Sequence, residues 1–329
     1  MQRRNFITLL GGAAAAWPLT ARSQPKSAIK RVGILMGLAE TDAQAQARII
    51  AFREGLKQLG WTESANIQLD YYWGANGNER SNELAAEVVR KKVDVILTNS
   101  PTGLAAVKQA TRSIPIVFVQ VADPVEDGFV ADLAHPGGNI TGFAISEHVM
   151  STKWLELLKE MAPRTTRIGF IQHAEHPSWP RYNRIIQEVA PSFGLGAVPI
   201  GVRNATELEK DVNRFALLPE GALLILPDTF TTTNRKLIIA LARQQNLPAV
   251  YPLSFFAKEG GLMSYGGDLV DLLRRAATYV DRTLRGNNAG DLPIQQATKF
   301  ELFVNLKAAK EIGLTISPTL LARADEVIE

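Results

Sequence analysis

The 329-residue sequence contains no cysteine. That absence excludes a thiol nucleophile, a disulfide framework, a zinc–cysteine site and an iron–sulfur cluster. It also excludes a lipoprotein anchor, because the lipid of such an anchor is carried by a cysteine side chain. The rest of the composition is ordinary, with 46% hydrophobic and 21% charged residues. A chain of this length and composition is expected to form two globular domains or one large one.

The sequence also lacks the motifs that mark common enzyme sites in α/β proteins. It has no Gly-Lys-Ser or Gly-Lys-Thr for a phosphate-binding loop, and Leu262 replaces the first glycine of a nucleophile elbow around Ser264. The His-Ala-Glu-His segment at 173–176 holds side chains that can bind a metal, but its spacing fits no metal motif and Pro177 indicates a loop. We therefore expect no catalytic residue, no cofactor and no metal ion.

Acidic residues are missing from the N-terminal segment, where the first one is Glu40. Arg3 and Arg4 precede an apolar run of about ten residues, too short to span a membrane, and small residues follow at 21–23. We expect residues 1–23 to be a signal peptide of the twin-arginine type, with a general secretory signal as the alternative. Without this segment the chain has 33 basic and 33 acidic residues. No electrostatic argument for a nucleic-acid partner then remains.

Short apolar runs alternate with amphipathic segments through the rest of the chain. The first half predicts helices between four strands, at 31–36, 66–73, 94–98 and 116–119. A turn-rich stretch at 135–143 interrupts the pattern. The alternation then starts again, with strands at 167–171, 196–202, 222–226 and 249–251. This order predicts an α/β fold of two Rossmann-like lobes with parallel, doubly wound sheets.

The residues that directly follow the predicted strands are the candidates for a ligand site, because such lobes bind ligands outside the carboxyl ends of their strands. In the first half these candidates are Ala39, Glu40, Thr41, Asn99, Ser100, Pro101, Thr102 and Asp123. In the second half they are Asp228, Thr229, Phe230, Tyr251 and Ser254.

The chemistry of these candidates suits a ligand that carries both charges. Ser100 and Pro101 open a helix whose free N–H groups attract a carboxylate, with simple helix capping as the alternative. Asp123 or Asp228 would hold an ammonium group, and for Asp123 a turn-capping role before Pro124 is the alternative. A zwitterion such as an amino acid fits this combination.

The sequence contains Asp-Pro-Val-Glu-Asp-Gly-Phe-Val at 123–130 and His-Pro-Gly-Gly-Asn-Ile-Thr-Gly at 135–142, followed by further distinctive blocks at 260–266, 291–296, 305–314 and 320–328. In their sequence and order these blocks resemble a family of substrate-binding proteins of ABC transporters, including its branch associated with tryptophan and other aromatic amino acids. The resemblance implies a type I periplasmic-binding-protein fold, in which three crossings of the chain join two lobes.

We expect these crossings near Phe143, Tyr251 and Pro293. The first lobe would then hold residues 24–143 and 252–292, and the second lobe residues 144–251 and 293–329. The resemblance implies an exported, periplasmic, monomeric receptor that captures a small polar ligand and delivers it to a membrane permease. It would bind no nucleic acid and catalyse no reaction.

Two other functions are compatible with this fold. A periplasmic α/β enzyme that acts on a small molecule is the main alternative, and a catalytic constellation in the cleft would be its structural sign. A ligand-responsive DNA regulator shares the two-lobed fold, but it needs a helix-turn-helix where this chain has its export signal.

Overall fold

The computed structural model describes residues 29–74, 77–145 and 147–329. The expected signal peptide at 1–23 lies outside the described residues. In the described part, none of the helices combines the length and apolarity needed to cross a membrane.

Within the described residues, thirteen strands form two sheets, one in each lobe. The sheet of lobe 1 contains β1 (Lys30–Leu35), β2 (Ile67–Tyr72), β3 (Val95–Thr98), β4 (Ile116–Ala122), β5 (Ile140–Ile145) and β11 (Gln295–Gln296), in the order β11-β5-β4-β3-β1-β2. The sheet of lobe 2 contains β6 (Arg167–His173), β7 (Gly196–Val202), β8 (Gly221–Ile225), β9 (Ala249–Tyr251), β10 (Met263–Gly267), β12 (Phe300–Asn305) and β13 (Glu326–Ile328), in the order β13-β12-β10-β9-β8-β6-β7.

Helices cover both sheets. Lobe 1 carries α1 (Ala43–Gln58), α2 (Asn78–Arg90), α3 (Pro101–Ala110) and α10 (Leu269–Leu284). Lobe 2 carries α4 (Glu147–Met161), α5 (Trp179–Val189), α6 (Ala205–Ala216), α7 (Thr229–Thr233), α8 (Arg235–Gln244), α9 (Ser254–Lys258), α11 (Leu306–Glu311) and α12 (Pro318–Ala322). Short 3-10 turns lie at Ala190–Phe193 and Ala289–Asp291.

The pairing confirms the predicted α/β class and the two parallel-sheet lobes. Every ladder in both sheets is parallel except the one between β10 and β12. Strands such as β3 and β8 are buried along their whole length, because helices cover both faces of each sheet.

Strand β5 is one of five strands that the sequence pattern did not predict, with β10, β11, β12 and β13. The turn-rich stretch at 135–143 ends in β5, which pairs with β4. Gly142 in this strand has φ +156°, and a Cβ there would lie 2.1 Å from the carbonyl oxygen of Phe118. Glycine therefore permits the close approach of the two strands, and its presence made the segment resemble a turn.

Of the three expected crossings between the lobes, the strand pairings move the second and shift the first and third by only a few residues. Strand β5 stays in lobe 1 as far as Ile145, past the expected crossing at Phe143. The crossing expected near Tyr251 falls after Gly267, because β10 pairs with β9 and β12 in lobe 2. The third crossing follows Gln296, since β11 pairs with β5 in lobe 1. Helix α10 packs on α1, where a Cβ at Gly55 would lie 2.7 Å from a carbonyl oxygen of α10.

Candidate ligand-binding cleft

A cavity lies between the lobes, at the carboxyl ends of both parallel sheets. Its lobe 1 wall consists of Gly37, Leu38, Arg48, Asn99, Ser100, Pro101, Gln120 and Ala122. Its lobe 2 wall consists of Met150, Trp154, His176, Ser178, Tyr182, Pro227, Asp228, Thr229, Thr232, Pro252, Leu253, Gly266 and Gly267.

Arg48 is the buried cation of this cleft. It lies on the face of α1 that also carries Ala45, Ile49 and Phe52, and only 4% of its surface is exposed. Among the described residues its guanidinium has no hydrogen bond or ion pair. Burial lowers the pKa of Arg48 to about 10, although the carboxylate of Asp42 opposes this shift. The side chain stays protonated at neutral pH, so an anionic group of a ligand would complete its environment.

The loops after β1 and β3 are tied to each other at the cleft. The side-chain oxygen of Asn99 accepts a hydrogen bond of 2.9 Å from the backbone N–H of Gly37. Ser100 caps α3 by accepting from the N–H of Gly103 at 3.0 Å, and Pro101 occupies the first turn of that helix. These two side chains therefore fix the shape of the lobe 1 wall.

Gln120 reaches the cleft through an irregularity in β4. Its φ is +63°, and the register between β4 and β5 shifts between Val119 and Val121. A bulge of this kind turns a side chain out of the regular alternation of a strand, and backbone strain of this kind clusters at ligand sites.

Asp228 combines a structural role with a place in the cleft wall. One of its carboxylate oxygens accepts from the N–H of Thr231 and caps α7, while the other accepts from the N–H of His173 at 2.7 Å. The side chain is buried. Each oxygen retains a further acceptor site, because a carboxylate offers about four.

An aromatic wall closes the cleft on the side of α4 and α5. It consists of the aromatic side chains of Trp154 and Tyr182 together with the apolar Met150, all buried. The rings of Trp154 and Tyr182 have centroids 6.3 Å apart, and the indole N–H of Trp154 donates to the carbonyl oxygen of Tyr265 at 2.7 Å. The hydrogen bond fixes the indole ring and leaves an apolar surface for a ligand.

Ion pairs join the lobes at both ends of the cleft. At one end Arg235 of lobe 2 contacts Asp42 of lobe 1 at 2.9 Å. At the other end Arg181 of α5 contacts Asp123 at 3.5 Å and also pairs with Asp127, both in the loop after β4. Burial raises the pKa of Asp127, and Arg181 opposes that shift. The structure therefore represents a closed arrangement of the lobes.

The structure brings five of the sequence-predicted residues into the cleft: Asn99, Ser100, Pro101, Asp228 and Thr229. Thr102 and Phe230 line an adjoining cavity, which shares His176, Asp228 and Thr229 with the cleft.

The other candidates lie elsewhere. Ala39, Glu40 and Thr41 are exposed and outside the cavity wall, as is the partly exposed Asp123. Ser254 begins α9, while its neighbours Pro252 and Leu253 line the cleft. Tyr251 is buried against Phe256, and burial raises the pKa of its hydroxyl.

Sequence reasoning missed Arg48, Gln120, His176 and the aromatic wall. Arg48 had a usable signal, because a charged residue between Ala45, Ile49 and Phe52 interrupts the apolar face of a helix. The aromatic wall had none, since its residues lie on helix faces and not in the loops that follow strands.

A model of the family described as "ABC transporter substrate binding protein" matches residues 31–328. A tyrosine-binding protein of Clostridioides difficile strain R20291 is 25% identical over 264 residues, which cover 80% of this chain and 75% of that protein.

Solved structures of similar architecture agree with this match. A conserved domain protein from Vibrio cholerae is 26% identical, with a TM-score of 0.84 over 91% of this chain and 99% of that one. An ABC domain in complex with L-Trp from Streptococcus pneumonia is 20% identical, with a TM-score of 0.84 over 92% of this chain and all of that one. At 20% identity, the similarity to the structure with L-Trp shows the fold alone.

Proposed function

The chain belongs to the family of ABC transporter substrate-binding proteins, and we propose that its cleft binds an amino acid with an aromatic side chain. The observation that carries this proposal is the buried, unpaired guanidinium of Arg48. A buried cation without a partner is costly, and a ligand carboxylate removes that cost when the lobes close around it. Arginine suits this role because its planar fork matches the two oxygens of a carboxylate.

The carboxylate of Asp228 supplies the complementary charge. It faces the same cavity from lobe 2, and its two backbone hydrogen bonds leave acceptor sites for a ligand ammonium group. The ligand would therefore contact lobe 1 through its carboxylate and lobe 2 through its ammonium group. Because one ligand then contacts both lobes, its binding favours the closed arrangement.

The arrangement of the two ends of the cleft orients the ligand side chain. Arg48 lies at the end where Asp42 pairs with Arg235, because both groups influence its pKa. Tyr182 lies at the other end, next to Arg181, whose ion pairs join α5 to the loop after β4. A carboxylate on Arg48 therefore directs the ligand side chain toward Met150, Trp154 and Tyr182. This apolar, aromatic wall suits an aromatic ring, which is the ligand class named for the similar proteins that bind tyrosine and L-Trp.

Delivery to a membrane permease completes the proposed function. We propose that residues 1–23 direct export, that the mature protein acts outside the cytoplasm, and that it catalyses no reaction. Secretion of a double variant, Arg3→Lys with Arg4→Lys, tests the export route. Loss of secretion supports the twin-arginine route, and unchanged secretion supports the general pathway.

Isothermal titration calorimetry with a matched set of ligands tests the binding proposal. L-tyrosine, L-tryptophan and L-phenylalanine retain both charges, tyramine lacks the carboxylate, and D-galactose represents sugars. We expect one or more of the amino acids to bind and tyramine to bind at least about 30-fold more weakly than L-tyrosine, since the loss of a buried charge pair costs roughly 2–5 kcal/mol. Tight binding of the sugar, or equal binding of tyramine and tyrosine, would contradict the proposal.

A further inference from the structure

His176 lies in the loop between β6 and α5 and lines the cleft from lobe 2. The proposed binding of an amino acid leaves this side chain without a role, although it lines the same cavity as Tyr182 and Asp228 and also the adjoining one. Its hydrogen bonds decide which of its two nitrogens carries the proton.

Three groups surround the Nδ1 atom of His176. They are Nε2 of Gln172 at 3.2 Å, the backbone N–H of Ser178 at 3.3 Å and the hydroxyl of Ser178 at 2.8 Å. The backbone N–H can only donate. The amide nitrogen of Gln172 also donates to the carbonyl oxygen of Pro227 at 3.3 Å, which fixes the orientation of that amide. Nδ1 must therefore accept, and the ring proton of neutral His176 lies on Nε2.

The Nε2–H group has no hydrogen-bond partner within the part of the chain that the structure describes. Nε2 is not one of the fully buried polar atoms that lack a partner, so it keeps some accessible surface. Burial lowers the pKa of His176, with the nearby Asp228 carboxylate opposing the shift, so the ring is neutral near pH 7. The cleft wall thus presents one fixed donor at the edge of the cavity.

The position of this donor along the cleft indicates what it contacts. Ser178, which holds the ring, is followed directly by α5, and α5 carries Tyr182 of the aromatic wall. Arg181, on the same helix, pairs with the loop after β4, whereas Arg48 lies near the Asp42–Arg235 pair. Asp228, the proposed partner of the ammonium group, is also near His176. A ligand whose carboxylate contacts Arg48 and whose side chain lies against Tyr182 therefore brings that side chain toward His176.

We propose that His176 is a specificity-determining residue whose Nε2–H donates to an oxygen on the ligand side chain, so that the cleft selects tyrosine over phenylalanine and tryptophan. This inference rests on the proposed function. The phenolic oxygen of tyrosine accepts a hydrogen bond, whereas the indole of tryptophan can only donate one and phenylalanine offers no polar atom. A ligand without an acceptor leaves the desolvated N–H unpaired, and that is the source of the discrimination.

Calorimetric titration of wild type and His176→Leu with L-tyrosine and L-phenylalanine tests the inference. We expect wild type to bind tyrosine on the order of tenfold more tightly than phenylalanine, and the variant to bind the two within about twofold of each other. The ratio within one variant cancels any general damage to folding. His135→Leu, at an exposed position away from the cleft, is the control and keeps the wild-type ratio.

Nitrogen NMR of ring-labelled protein gives a second readout that affinity alone does not. It should show the Nε2-protonated tautomer in the free protein and a shift of Nε2 on addition of tyrosine but not of phenylalanine. A tyrosine preference that survives in His176→Leu, or an Nδ1-protonated ring, overturns the inference and leaves amino-acid binding intact. Binding of L-tryptophan alone also overturns the inference and leaves the proposed function intact. If wild type binds none of the three aromatic amino acids, the proposed function fails and this inference fails with it.

Discussion

Asp42 joins the two lobes and begins the helix that carries the buried cation of the cleft. One oxygen of its carboxylate caps α1 by accepting from the N–H of Gln44 at 2.8 Å, and the other contacts Arg235 of lobe 2 at 2.9 Å. The Asp42–Arg235 pair is largely buried, and Arg235 is held from its own lobe by Glu259. The same pair therefore contributes both to closure of the cleft and to the electrostatic surroundings of Arg48.

Asp42→Asn should weaken closure without damage to the fold. Asparagine caps a helix as well as aspartate does, so α1 and the melting temperature should change little. The lost charge should lower ligand affinity about fivefold, the equivalent of about 1 kcal/mol. Calorimetry measures the affinity, and small-angle scattering measures the fraction of closed molecules. Arg243→Gln, an exposed position on α8, is the control, and an equal loss of affinity there would contradict the role given to Asp42.

Two adjacent glycines in the cleft wall should respond differently to the same substitution. A Cβ at Gly266 would lie 1.8 Å from the carbonyl oxygen of Pro252, whereas at Gly267 the nearest atom would be 3.6 Å away. Gly266→Ala should therefore destabilise the protein by about 1–3 kcal/mol and distort the cleft. Gly267→Ala should stay close to wild type in thermal unfolding. Equal melting temperatures for the two variants would show that the contact between β10 and the segment after β9 is not as tight as described.

Asp228→Asn should lower both stability and affinity. An amide has one oxygen where the carboxylate uses two, so either Thr231 or His173 loses the acceptor of its N–H. We expect a loss of about 1–2 kcal/mol in stability. Asp268→Asn is the matched control, because Asp268 caps α10 outside the cleft. It should lower the melting temperature only slightly, through the lost ion pair with Lys299, because both capped N–H groups bond the one oxygen that asparagine keeps. Its affinity should equal that of wild type, and unchanged affinity in both variants would remove Asp228 from the proposed site.

A lower pH should reduce the stability of the folded protein through protonation of His176. In the folded protein the pKa of His176 is lowered from its ordinary value of 6.5. The stability gained from the neutral ring is therefore complete above about pH 6.5, and it is lost as the pH falls through the lowered pKa. Protonation would place a proton on Nδ1, against the donors on Ser178 and Gln172. The charged groups around the ring have opposing effects: the Asp228 carboxylate favours protonation, and His173 opposes it.

The difference in melting temperature between wild type and His176→Leu measures this contribution. As the pH falls from about 7.5 to 5.5, the melting temperature of wild type should decrease relative to that of His176→Leu. A constant difference, or one that moves in favour of wild type, would mean that His176 is not held neutral.

The strand pattern made the fold predictable, because buried parallel strands are short apolar runs between amphipathic helices. The carboxyl-end rule also predicted Asn99 to Pro101 and Asp228 in the cleft wall. The rule failed at Ala39 to Thr41, because the chain after β1 turns outward past Leu38 into exposed positions before α1.

Other features depend on tertiary packing that local sequence does not encode. The sequence of the glycine-rich segment around β10 does not indicate which sheet it joins. Because β10 joins the sheet of lobe 2, the second crossing follows Gly267 and not Tyr251. Trp154 and Tyr182 reach the cleft only through the way that α4 and α5 pack against the second sheet.

Calorimetric titration of Arg48→Met with the tightest-binding aromatic amino acid tests the central claim most directly. Methionine keeps much of the volume and removes the charge, so the melting temperature should be equal to or higher than that of wild type. Affinity should fall by about 30-fold to several thousand-fold, since the carboxylate loses its partner. Arg53→Met, at an exposed position on the same helix, should bind as wild type does. Wild-type affinity in Arg48→Met would contradict the account.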